Sequence, residues 1–147
     1  MNQISHATPS LVHRHRFDAR TRRRIRYAAA ALAGLTAAIY VLIATSAVTV
    51  IDPAAVEDAR RDQLAFATPA AIAYALGASL LLIPWLDRRI LWALGALLQV
   101  GVIAMYFSVA PDREPSFEPW GIAIRLIELL LLAALVMLVA DEPERAR

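Results

Sequence analysis

The stretch GIAIRLIELLLLAAL, Gly121 to Leu135, decides how the rest of the chain is read. It is apolar except for Arg125 and Glu128, which stand three positions apart. On a helix exposed to water such a pair is ordinary, because residues at i and i+3 are neighbours on one face. In hydrocarbon it is an expensive exception. Which solvent surrounds it follows from the whole chain.

Of the 147 residues, 59% are hydrophobic and 19% are charged, against about half and a quarter in a soluble domain. The charges gather into short patches that leave long stretches nearly free of them. A spanning helix needs roughly 20 mainly apolar residues, and the sequence offers such spans at about 27–51, 64–86, 90–109 and 119–140. The expected fold is all-α: a bundle of four transmembrane helices forming one membrane domain over 27–140. A basic, disordered tail over 1–26 precedes it, and a short tail over 141–147 follows it. Thr68-Pro69 offers a second start for the second span, since Pro suits a first helical position. The segment DPAAVEDARRDQ, 52–63, reads as a short surface helix.

Arginine placement sets the expected orientation. All fifteen basic residues are Arg. Seven lie in the N-terminal tail, two in the Asp87–Arg89 turn and two in the C-terminal tail. The two remaining loops hold three, and the last is Arg125. Short cytoplasmic loops carry the Lys and Arg excess, so both termini are expected on the cytoplasmic side of a bacterial inner membrane. Arg22, Arg23, Arg24, Arg26, Arg88 and Arg89 are expected to anchor this topology on anionic lipid head groups, each contributing about 1 kcal/mol near the surface. Trp85, Trp92 and Trp120 fall where an aromatic belt lies.

Other chemistries find little support. There is no cysteine, so disulfides and thiolate metal sites are excluded. His6, His13 and His15 sit among repelling arginines with no completing ligands, so no metal or cofactor is expected. The basicity is concentrated at one end and does not indicate nucleic-acid binding. TRRRIRY before an apolar run resembles part of a twin-arginine signal, but the run is longer than a signal core and three more spans follow it. Neither a phosphate-binding Gly-rich loop nor HExxH nor GxSxG is present.

The charged pair then becomes the central question. Arg near a helix centre costs about 2.5–3.5 kcal/mol, and each Leu, Ile or Val returns about 0.3–0.6. The fourth span holds twelve such residues, so alone it is marginal. Arg125 has two ways out: pairing with Glu128, or snorkelling up to Glu118 and lipid phosphates. Glu128 is too short to snorkel. At 1.5 Å per residue it lies near mid-membrane, at a depth similar to Tyr40, Tyr74 and Gln99 in the other three spans. If all four face inward they form one polar layer, with Arg125 beside it.

The leading functional expectation is a non-enzymatic accessory or partner-binding membrane subunit that contacts lipid and either self-associates or joins another membrane protein. The alternatives are a proton-coupled transporter or channel subunit using Glu128, and a lipid- or quinone-acting enzyme. Small-residue faces, Ala30-Gly34-Ala38 and Ala73-Gly77, are expected to let helices approach closely.

Overall fold

The computed structural model describes residues 17–45, 47, 56–86, 89–109 and 119–141, with only the backbone for 56–63, 109, 119 and 120. It is all-helical. The helices are α1 (Ala19–Ala44), α2 (Val56–Leu82), α3 (Arg89–Val109) and α4 (Pro119–Ala140), with a 3-10 turn at Pro84–Leu86 between α2 and α3. All four are long and apolar enough to cross a membrane.

Two helix starts differ from the expected spans. α1 begins at Ala19, not Tyr27, because Asp18 caps it: its carboxylate accepts the Thr21 N–H at 2.8 Å. Bonding to Thr21 holds the Asp18 carboxyl below its ordinary pKa. The arginines that follow are good helix formers, so part of the expected tail is helical. α1 ends at Ala44, where the Thr45 hydroxyl bonds back to Val41 and Leu42 carbonyls; residues 46 and 48–51 lie outside the described set. α2 begins at Val56 and runs unbroken through Pro69. The separate surface helix and the restart at Pro69 are therefore replaced by one helix. A proline inside a helix removes one i→i−4 bond, yet α2 continues through it to Leu82.

α1 packs against α2 and α4, and α4 also packs against α3. The order across the bundle is α2, α1, α4, α3. α2 and α3, though consecutive in sequence, have no extensive contact among the described residues. The α1 seam is built from small residues: Ala29, Ala30, Ala33, Thr36 and Ala37 are buried. This buried line is rotated from the expected one, since Ala38 faces outward and Gly34 is only partly covered. Ala73 of α2 is likewise exposed.

Both ends of the bundle sequence meet at one end of the fold. Asp141, just past α4, accepts the Phe17 N–H at 3.2 Å and pairs with Arg22, whose guanidinium also reaches the Asp141 carbonyl at 3.2 Å. Buried at 4% exposure, this carboxylate ties the start of α1 to the end of α4.

The expected anchors divide. Trp85 is 82% exposed, and Arg23, Arg24 and Arg89 are exposed. Trp92 is not at the surface: at 3% exposure it packs with Ala29, Ala30, Leu81 and Leu138 in the core. α3 packs mainly on α4 among the described residues, and the bulk of Trp92 in its first turn reaches the small residues of α1. Arg26 is also drawn in, with its guanidinium 5.9 Å from the Tyr27 ring. Arg88, the Trp120 side chain, His6, His13, His15 and residues 142–147 lie outside the described set.

Candidate functional site

The polar side chains of the four helices converge midway along the bundle. Glu128 is fully buried, Gln99 and Tyr40 nearly so, and Arg125 retains 6% exposure. Tyr74 is partly buried. Each helix contributes because the same depth recurs in all four spans, and α1, α2 and α3 each turn one of these side chains toward α4.

Glu128 is the hub. Its Oε2 forms an ion pair with Arg125 Nη1. Its Oε1 accepts the Tyr74 hydroxyl at 2.8 Å and the Tyr40 hydroxyl at 3.3 Å. Arg125 Nη2 donates to Tyr40 Oη at 2.8 Å, closing a ring Arg125–Tyr40–Glu128, while the Arg125 Nε–H is buried without an acceptor. The two tyrosine rings stack with centroids 5.7 Å apart. Arg125 does not snorkel. It turns inward, reaching the Val102 carbonyl at 3.4 Å and lying 4.8 Å from the centroid of the Tyr106 ring.

The Tyr74 hydroxyl also lies 3.0 Å from the Gln99 carboxamide. A phenol has one proton to give, and the carboxylate is the nearer and stronger acceptor. The network therefore orients the carboxamide with its NH2 donating to Tyr74 Oη, which leaves the amide's other polar atom buried without a partner. The result is a relay of donors, Gln99 to Tyr74 to Glu128.

Chemically, the arrangement neutralises a buried charge with a neighbouring one and satisfies the remaining lone pairs with phenols. A buried ion pair is tolerable on those terms. The ring leaves no acid or base of the layer without a protein partner to share its proton. Among the described residues, no group of three His, Cys, Asp or Glu converges as a metal site would require.

Sequence reasoning named Tyr40, Tyr74, Gln99, Arg125 and Glu128, and the structure brings all five together. It did not find Tyr106 or Gly121. Gly121 is buried beneath the Tyr106 ring, and a Cβ there would run into that ring. Tyr106 covers Arg125 because Gly121 makes room for it. The one available signal was that Gly121 precedes Arg125 by four positions, on the same helical face. Asp141 was also missed as the partner of Arg22, since its position in a polar tail suggested only solvation.

Family models, curated proteins and solved structures were compared with the chain, and none matches.

Proposed function

We propose that the protein is a non-enzymatic, multi-pass component of a bacterial cytoplasmic membrane, with both termini in the cytoplasm. Its role is that of an accessory subunit that binds another membrane protein or a second copy of itself. The orientation rests on the arginine distribution and the shared end of the two termini. The observation that carries the functional reading is the closed ring of Arg125, Tyr40 and Glu128. These groups bond mainly to one another, which suits a layer that fixes helix register more than a site that turns over a substrate.

The binding surface is the outer side of α3. This helix packs mainly on α4 among the described residues, and Leu97, Gly101 and Ala104 along it are exposed. A Cβ at Gly101 meets no atom within 4 Å, so a partner helix can come close there, as small residues allow in membranes. Gly101→Leu is expected to abolish a specific complex seen by native mass spectrometry of the chain purified in mild detergent, while helix content stays unchanged. A wild-type chain that remains monomeric and without a partner, both there and in crosslinking from residue 101 in the native membrane, overturns the reading.

The second reading is proton coupling through Glu128, favoured by an ionisable group buried in a span. Under it, Glu128→Gln paired with Arg125→Met abolishes pH-dependent flux in vesicles. Under the accessory reading, no such flux exists to lose.

A further inference from the structure

Where α2 and α3 part, they leave a cleft of about 540 Å³. Its α2 wall runs from Phe66 to Leu81 and its α3 wall from Leu91 to Val102, with Ala33 and Leu131 at the floor. The volume falls within the range of small-molecule sites, about 300–1,000 Å³. We propose that this cleft is a lipid-binding site, occupied by the hydrocarbon tail of a membrane phospholipid lying along the helices.

Three observations select that occupant. The first is chemical. The lining is apolar apart from Tyr74 and Gln99; Tyr74 is held by Glu128, and Gln99 is buried at 3% exposure, its one unpartnered amide atom covered with it. Little polar surface is left for a head group at this depth, so the occupant's buried part is hydrocarbon.

The second is dimensional. Fifteen residue steps from Phe66 to Leu81 make a cleft roughly 22 Å long at 1.5 Å per residue. One acyl chain spans about half of the roughly 30 Å hydrocarbon core, so a single tail lying along the helices is accommodated within that length.

The third is the medium. The cleft opens sideways between two helices that span the membrane, where the available solvent is acyl chain. The N-terminal segment outside the described residues, MNQISHATPSLVHRHR, is too polar to fill it. Leu81 and Trp92, both buried, line one end, and Pro69 lines the wall nearer the other. A lipid tail here supplies the dispersion contacts that α2 and α3 do not give each other. This site is independent of the α3 outer surface proposed for a partner, and it stands or falls separately.

Trp92 lines the cleft and serves as the reporter. The full chain carrying Trp85→Phe and Trp120→Phe is reconstituted in phosphatidylcholine vesicles whose acyl chains are brominated at mid-length. Trp92 fluorescence is expected to be quenched. Gly77→Leu, whose added Cβ meets no atom within 4 Å, fills the cleft from α2 and is expected to lose most of that quenching. Leu98→Phe narrows it from α3 and is expected to act the same way, so one misfolded variant does not end the test. Native mass spectrometry is expected to find bound phospholipid on the wild type and less on either folded variant. Equal quenching with and without the filling side chain, a bound mass that is not a phospholipid, or a Gly77→Cys chain that crosslinks to a second helix each overturns the proposal.

Discussion

The α1 seam and the α2–α3 side of the bundle are made from similar residues, yet one is closed and the other open. Along the seam, Ala29, Ala33 and Ala37 let backbones approach until Tyr40 reaches Glu128 on α4. Across the bundle, Ala73 and Gly77 are equally small but face a gap. Lipid tails are as apolar as leucine, so no hydrophobic force drives helices together in a membrane. Small residues permit close contact without causing it. The seam closes because α1 and α2 both carry tyrosines that complete the coordination of a charged pair on α4. Between α2 and α3 the described residues show the Tyr74–Gln99 hydrogen bond and, at one end, the packing of Trp92 with Leu81. The remaining lining of that side is apolar.

The largest test removes the cause. Glu128→Gln leaves Arg125 buried without its counter-charge and is expected to cost about 3–5 kcal/mol, the usual penalty for breaking a buried pair, measured by reversible unfolding in detergent. Arg125→Met is expected to cost about as much by stranding the carboxylate. The double variant, with both groups neutral, is expected to recover most of the loss. Additive losses would mean the pair does not hold the seam.

A smaller effect contrasts the two sides directly. Ala29 is fully buried, and Ala29→Leu is expected to overpack the seam and destabilise by about 1–3 kcal/mol. Gly77→Leu on the open side is expected to change stability little, by the same measurement, because the new side chain enters open space. Equal costs at the two positions would erase the distinction drawn between them.

Tyr74→Phe deletes the link that joins α2 to the layer. The expected cost is about 0.6 kcal/mol, the average for a hydrogen bond between spans. It should appear together with faster amide exchange in α2 than in α1.

The smallest effect lies outside the membrane. The pKa of Asp18 is lowered by its bonds to Thr21, so the cap is complete above the ordinary aspartate range. It is lost as pH falls through the lowered value. Asp18→Ala is expected to remove this pH dependence from hydrogen exchange at Ala19–Arg22 and to leave the four spans unchanged.

Much of this was legible from residue order. A charged residue in an apolar run has so few tolerable fates that Arg125, Glu128, Gln99, Tyr40 and Tyr74 stood out before any coordinates. Tyr106, Gly121 and Asp141 did not. An aromatic near a span end, a glycine in a helix and an acid in a tail each have an ordinary explanation, and only proximity makes them partners of Arg125 and Arg22. Trp92 and Arg26 were assigned to the lipid surface for the same reason: depth can be counted along a chain, but the direction a side chain faces cannot.

The sequence alone determined that there are four membrane-length helices, their approximate limits and the depth at which each carries a polar group. Those properties follow from hydropathy and from a fixed rise per residue, which neighbours do not alter. Tertiary structure decided that Arg125 turns inward, that α1 and not α3 packs on α2, and that a cleft remains between consecutive helices. Each of those depends on the rotation of one helix against another. That rotation is set by which polar groups can satisfy one another across the bundle, a question no single span can answer.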